Sequence, residues 1–369
     1  MRVLQLGSHL RLGGITTYVA TISEALTQRG HAVCVASGAG PAQARLQAQG
    51  IQLWTLPLDT SAECSPQVMW SAWQLRHRLR QQPVDLIHAH TRVGQVVADW
   101  LSRRTRTPYV TTWHGFFRRR LGRRLWPCTG DVTIAISEPV ALHLRDTFGV
   151  PAQRVRVIPH GIDVSRYQQP VSVETQAALR AKFGLSGGPI LGTVSRLVPS
   201  KGVDQLIRAF STVVERVSTA RLLIVGDGPD RGRLEGLTRR LGDRIRFAGW
   251  LDDPRPALAL MDAFVFLPAT EEGFGLSLLE AMASGRPIVA IKRGGGATWV
   301  LEDSQAALIV PPDDTAALAE AMRRVAQDRG LAEALAQRAQ VVAKARYDLP
   351  PMIDAIERVY REAVQLRNS

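Results

Sequence analysis

Apolar residues fall along this chain in short runs that alternate with longer stretches of helical spacing. Val3, Leu4 and Leu6 read as a strand, Ile15, Tyr18, Val19, Ile22 and Leu26 share one helical face, and residues 32–36 form a second apolar run. This strand-helix-strand opening is repeated. Strands are expected at 51–56, 85–90, 109–114, 132–137 and 155–159, with helices at 67–81, 94–103 and 139–147. Near-continuous apolar strands separated by helices imply a parallel sheet covered on both faces. After a polar stretch at 166–175 a second series begins, with strands at 190–194, 221–225, 244–247, 263–267, 287–291 and 307–310 and helices at 203–217, 256–261 and 315–326. The expected fold class is α/β: two Rossmann-like, doubly wound domains facing a cleft. The expected division is 1–165, 166–350, and a C-terminal helix in 351–369 that can cross back to the N-terminal domain. In open α/β sheets ligands bind at the carboxyl ends of strands, so candidate chemistry is sought there.

Length and composition narrow the class. With 369 residues the chain has room for two well-filled cores. Cys34, Cys64 and Cys128 contain no CxxC pair, give neither a disulfide framework nor a zinc set, and suit a reducing cytoplasm. No apolar run approaches the roughly eighteen residues of a membrane span, and MRVLQLGSHLRLGG is too short and interrupted for a signal peptide, so an unexported cytoplasmic protein is expected.

Charge adds a partner question. The net charge is +13, and residues 1–165 carry nineteen arginines, no lysine and nine acids, a net +10. Such a half fits nucleic acid, an anionic membrane or an acidic substrate, but no helix-turn-helix, zinc-finger or RNP-like signature favours the first. Residues 116–126, FFRRRLGRRLW, place Phe117, Leu121 and Leu125 at helical i, i+4, i+8 spacing among Arg118, Arg119, Arg120, Arg123 and Arg124. That segment can lie in the interface of an anionic bilayer. It reads equally as core with solvated arginines on its rim, or as a contact for a phosphorylated acceptor.

Several turns carry candidate chemistry. Residues 270–287, TEEGFGLSLLEAMASGRP, hold Glu272 and Glu280 eight apart with a helix starting near Gly275. A helix N-terminus attracts phosphate without a metal, and eight residues of helix rise about 12 Å, roughly the reach of an extended nucleotide sugar. By itself the glutamate pair also reads as a cap and a solvated helix residue. Leu12-Gly13-Gly14-Ile15 joins the first strand to its helix; its glycines allow close backbone approach, but it is not GxGxxG. Arg11 reads as a ligand arm or as surface charge. Arg196 and Lys201 lie in the turn GTVSRLVPSKG, where a guanidinium and an ammonium can neutralise a diphosphate leaving group. His88, His90 and His114 end two strands on one rim, yet no acidic or thiol ligand completes a zinc set. His114 is the candidate for sugar contact, with strand-end packing as the alternative. Gly226-Asp227-Gly228-Pro229 reads as turn chemistry, and no Asp-x-Asp ends a strand to hold a divalent ion, so neither metal nor cofactor is expected.

Taken together, GG near the N-terminus, TTWHG, AISEPV, VIPHGID, GTVSRLVPSKGVD, LLIVGDGP, FAGWL and EEGFGLSLLEAMASGRPIVA resemble the retaining glycosyltransferases of family 4, over nearly the whole chain. The resemblance implies the GT-B fold and metal-free transfer from a nucleotide diphosphate sugar, the co-substrate, with retention. It implies that Arg196 and Lys201 bind the diphosphate and that Glu272 and Glu280 contact the donor sugar and the ribose. It also implies that the backbone of Gly273, Phe274, Gly275 and Leu276 meets sugar and phosphates, that the Gly13-Gly14 loop closes from the other domain, and that His114 lies beside the donor sugar. Two positions depart from the family pattern. His160 stands where Asn is frequent, and Trp299 where Glu is common. The acceptor expected is a cell-envelope glycan or glycolipid, with the enzyme on the inner face of the plasma membrane. The rivals are an epimerase or phosphorylase of the same fold, or a non-catalytic nucleotide-sugar or membrane-binding module.

Overall fold

The computed structural model describes residues 1–11, 13–119, 121–185 and 187–368, without the side chains of Leu121 and Asp303. Of the positions singled out above, Leu12 and Arg120 lie outside the described residues. The chain divides into two compact units, Met1–His160 with Pro350–Ser369, and Gly161–Leu349.

In the first unit β1 (Arg2–His9), β2 (Ala32–Gly38), β3 (Gln52–Thr55), β4 (Leu86–Ala89), β5 (Tyr109–Trp113), β6 (Val132–Ala135) and β7 (Val155–Val157) form one sheet in the order β3-β2-β1-β4-β5-β6-β7. In the second, β8 (Ile190–Val194), β9 (Arg221–Val225), β10 (Ile245–Gly249), β11 (Ala263–Phe266), β12 (Ile288–Ile291) and β13 (Ala307–Val310) follow the order β10-β9-β8-β11-β12-β13. The pairings around both centres are parallel. Each sheet is therefore doubly wound, as the sequence pattern implied, with its strand order switching between β1 and β4 and between β8 and β11. Those switch points open the crevices where such sheets bind ligands.

Each unit has its own core. Leu4, Leu6, Leu75, Ile87, Val97 and Leu101 pack in the first, and Leu191, Leu206, Phe210, Leu222, Val265 and Val289 in the second. The apolar run of the first sheet is broken by Gln5 and His88, which stand opposite one another in the β1–β4 register and are fully buried. Two polar groups so deep must be hydrogen-bonded to be tolerated. The partner comes from the last helix, Leu349–Asn368, which buries Met352, Ile353, Ile356, Val359, Tyr360 and Ala363 along one face. Its Tyr360 hydroxyl meets His88 Nδ1 at 2.7 Å and accepts from Gln5 Nε2 at 3.2 Å. Arg367 at its end donates to Asp131 at 3.1 Å. The helix thus belongs to the first unit.

The units part at 160/161 rather than at 165/166. Ile162 N–H donates to Tyr347 O and Leu349 N–H to Ile162 O, both at 2.9 Å, which ties the residues after Gly161 into the second unit. The polar stretch 166–175, read as a seam, is instead largely taken up by the helices Val164–Gln168 and Val173–Phe183. The basic segment also differs from its expected form. Among the described residues of the segment only Leu121–Leu125 is helical, and Phe117 is not on that helix. The Phe117 ring meets Trp113 edge-on at 5.3 Å with the Arg123 guanidinium 4.4 Å above it, and Trp126 Nε1 donates to Asp99 at 2.7 Å. Phe117 and Trp126 are thus drawn into the fold, whereas Leu125, Arg118, Arg119 and Arg124 are exposed.

Candidate functional site

In the second unit the switch point is bordered by the turn after β8 and the loop after β11. The first turn is locked from below by glycines. Ser195 N–H donates to Val225 O at 3.0 Å, and a Cβ on Gly226 (φ +129°) would fall 1.9 Å from Ser195 O, so only glycine fits. Leu197 is bonded likewise to Asp227 O at 2.9 Å. Gly226-Asp227-Gly228 is thus the clamp that shapes the Arg196 turn. Arg196 itself is exposed, and no carboxylate among the described residues pairs with it.

Lys201 closes the short 3-10 turn Pro199–Lys201 before the helix Val203–Arg216. Ala269 N–H donates to Ser200 O at 2.9 Å, which holds this turn against the loop after β11. Lys201 Nζ donates to Glu272 Oε1 as a partly buried ion pair. Glu272 is fixed in turn by its backbone, which bridges Gly295 and accepts from Gly296 N–H at 2.9 Å. Two sequence-distant candidates, Lys201 and Glu272, are therefore brought together.

The helix Leu276–Ala283 starts at Gly275, whose φ of +94° favours glycine, and no side chain caps it. Its first-turn N–H groups and the positive end of its dipole face the loop that carries Glu272. Phe274 anchors the loop by burying its ring edge-on to Tyr347 at 5.6 Å. One turn into the helix, half-buried Glu280 accepts from Tyr167 Oη at 2.9 Å. Burial, with the nearby Asp253 charge adding to it, raises the Glu280 carboxyl from 4.5 to about 7 against the opposing Tyr167 bond and Arg166 charge. Tyr167 is oriented from behind: Arg255 donates to Arg166 O at 3.1 Å and is itself ion-paired to Asp253 at 2.6 Å. Tyr167 was missed in the sequence because it lay in the stretch read as a polar seam.

In the first unit Gly13 caps the helix Gly14–Gln28, again without a side-chain bond. At the ends of β4 and β5 the histidines gather more tightly than their spacing showed. His90 Nε2 donates to Gln5 Oε1 at 2.7 Å, and His88 Nε2 meets Thr112 Oγ1 at 2.7 Å. His114 Nδ1 lies 3.3 Å from His160 Nε2, while Tyr18 stacks on the His160 ring at 4.6 Å. His160, the first departure from the family pattern, therefore joins the cluster as the neighbour of His114. Burial pushes the His88 and His160 rings down to about 3 and holds His90 and His114 well below 6.5, so the four rings are neutral at pH 7. His114 Nε2 is buried and has no hydrogen-bond partner among the described residues, a polar atom left for a ligand. Among those residues no three His, Cys, Asp or Glu side chains are grouped to hold a metal ion. Trp299, the second departure, sits half-buried on the helix Gly295–Ser304 that begins beside Glu272.

Comparison with known proteins bears on both units. Glycosyltransferase Family 4 matches residues 12–166, and Glycosyl transferases group 1 matches residues 188–328. A D-inositol 3-phosphate glycosyltransferase of Nocardia farcinica is 31% identical over 86% of this chain and 78% of its own length. The lipopolysaccharide core biosynthesis glycosyltransferase LpsE of Rhizobium meliloti is 34% identical over 48% of this chain, a match spanning 51% of that protein. Among solved structures, Anabaena HepE in complex with UDP-glucose superposes with a TM-score of 0.85 at 24% identity, over 98% of this chain and 100% of that one.

Proposed function

The chain belongs to glycosyltransferase family 4 and is a glycosyltransferase of the GT-B fold, and from that premise we propose that it transfers a sugar, with retention and without a metal, from a nucleotide diphosphate sugar to a cell-envelope glycan or lipid-linked acceptor of the lipopolysaccharide or exopolysaccharide type. The observation that carries the donor half is the meeting, at one switch point, of Arg196, the Lys201–Glu272 pair, an uncapped helix N-terminus and a held Glu280. The likeness to LpsE supports the acceptor half, and that to the UDP-glucose complex of HepE supports a nucleotide diphosphate hexose.

In this reading Arg196 and Lys201 neutralise the diphosphate, and the backbone of Gly273, Phe274, Gly275 and Leu276 receives phosphate and sugar. Glu280 takes the ribose, and Glu272 the donor sugar. In the first unit the uncapped helix start at Gly13-Gly14 and His114 Nε2, unpartnered among the described residues, are the groups available to a substrate. The bond between anomeric carbon and phosphate oxygen breaks with its electron pair going to the phosphate, where cations and helix dipole stabilise the growing charge. The acceptor hydroxyl attacks from the same face and gives its proton to the departing phosphate. The enzyme works in the cytoplasm, peripherally at the inner face of the plasma membrane.

A thermal-shift panel of nucleotide sugars tests the reading. A ligand at 100 times its Kd stabilises by about 2.7 kcal/mol, a shift of several degrees for a domain of this size. One donor is expected to give that shift in the wild type and not in Arg196→Ala or Lys201→Ala; a flat panel contradicts the assignment. Conversion of donor alone into a new sugar nucleotide would mark an epimerase instead.

A further inference from the structure

The helix Pro66–Gln81 is amphipathic in two directions. One face buries Val68, Ala72, Leu75 and Leu79 in the core of the first unit. The opposite face carries Met69, Trp70 and Trp73, which are 36%, 50% and 59% exposed, followed by exposed His77 and Arg80 at the same helical spacing. Two half-exposed tryptophans on one face are costly to leave in water and normally mark a contact surface. No acid occurs from residue 64 to residue 84, while Arg76, Arg78 and Arg80 all lie on this helix. Because the helix follows β3, it starts at the carboxyl edge of the sheet, and Trp70 and Trp73 lie within about 10 Å of that start.

This face is joined to the basic segment. Arg92 Nε donates to Glu63, just before the helix, while its two terminal nitrogens donate to Trp126 O at 2.8 Å and Pro127 O at 3.1 Å. The bridge brings the Trp126 end of the basic segment, with exposed Arg124 and the 75% exposed Leu125 just ahead of it, toward Glu63 and the helix start. Since Phe117 and Trp126 are drawn inward, the apolar half of an interfacial contact has to come from elsewhere, and the tryptophans supply it.

We propose that the exposed face of Pro66–Gln81, anchored by Trp70 and Trp73, with exposed Arg80 on the same helix and Arg124 toward its start, is the surface that docks this protein on an anionic lipid bilayer. Tryptophan is suited to the headgroup boundary, and each basic residue near such a surface adds about fivefold in affinity. A second copy of the chain is a poor occupant, because the helix carries arginines and no acid, so a two-fold contact would set like charges against each other. The proposal rests on the peripheral reading above and assigns it a surface.

Sedimentation with vesicles of phosphatidylcholine, with and without phosphatidylglycerol, tests it on the full chain. Wild type is expected to bind the anionic vesicles, more weakly at high salt. Trp70→Ser/Trp73→Ser should weaken binding tenfold or more while leaving the melting temperature and donor hydrolysis in solution unchanged. Arg80→Ser/Arg124→Ser should weaken it and flatten the salt dependence. Vesicle binding that ignores the tryptophan variant overturns this surface and spares the peripheral reading, whereas no binding by wild type overturns both. A dimer that the tryptophan variant dissolves identifies a self-interface and also overturns the proposal.

Discussion

At the scale of single residues, the account turns on Lys201 and Arg196. In the proposed function both neutralise the leaving diphosphate, and removing one such preorganised donor costs about 100-fold or more in turnover. Lys201→Ala and Arg196→Ala are each expected to lose that much kcat at saturating donor; near wild-type kcat in either would contradict the role. Tyr167 acts through Glu280. Tyr167→Phe removes the 2.9 Å bond that orients the carboxylate, so donor KM should rise several-fold with kcat little changed, and equal losses in both would point to a general structural defect. The Glu280 carboxyl is raised from 4.5 to about 7, so below pH 7 it is protonated and, in the proposed ribose-binding role, a poor acceptor for hydroxyls. Donor KM should therefore fall as pH rises from about 6 to 8, and Glu280→Gln should flatten that profile. Arg196, Lys201 and Glu272 could be singled out in the sequence because each sits between a strand and a helix, and Glu280 because it follows about one turn into the next helix. Their pairing was not: Lys201 and Glu272 are 71 residues apart and meet only because two loops share a rim. The contact of His160 with His114 was hidden for the same reason, since it joins the segments after β5 and β7, strands that are not adjacent in the sheet.

At the scale of elements, the uncapped start of the helix Leu276–Ala283 is the proposed phosphate end of the site. Gly275→Ala would hold alanine at φ +94° with its Cβ 2.8 Å from Phe266 Cζ. Strain of this kind costs about 1–3 kcal/mol, so the melting temperature should drop by several degrees and the donor-induced shift should shrink; an unchanged melt with a full donor shift would show that this start is not critical. Strands and amphipathic helices such as Val203–Arg216 were legible because their apolar faces are large. The helix Val173–Phe183 buries only Phe183, and Arg329–Arg346 buries Leu335, Ala339 and Ala343, so their periodic signal was weak and the pattern passed over them. The segment 116–126 failed in the opposite way. Its i, i+4, i+8 spacing was real, but Arg123 and Trp113 claim Phe117 before a helix can include it.

At the scale of the whole molecule, two doubly wound sheets follow from the alternation of apolar runs and helices, while the boundary at 160/161 was not legible because backbone bonds between Ile162 and Tyr347 decide it. The return of the last helix to the first unit has a consequence for acid stability. It helps enclose His88, whose ring, like that of His160, sits near 3 when folded and near 6.5 when free. As pH falls below 6.5 the unfolded rings take protons that the buried ones refuse, so stability is lost from 6.5 down to about 3, on the order of 1 kcal/mol per pH unit for each ring. The melting temperature should be lower at pH 5 than at pH 7, and His160→Asn should lessen the difference; a pH-independent melt would contradict neutral burial. The central claim is retaining, metal-free transfer from a nucleotide diphosphate sugar, and time-resolved proton NMR of donor hydrolysis in EDTA tests it most directly. With the donor found by thermal shift, the released sugar should first appear with the anomeric configuration it had in the donor, before mutarotation mixes the two forms. The opposite anomer appearing first, or turnover that stops in EDTA, would contradict the account.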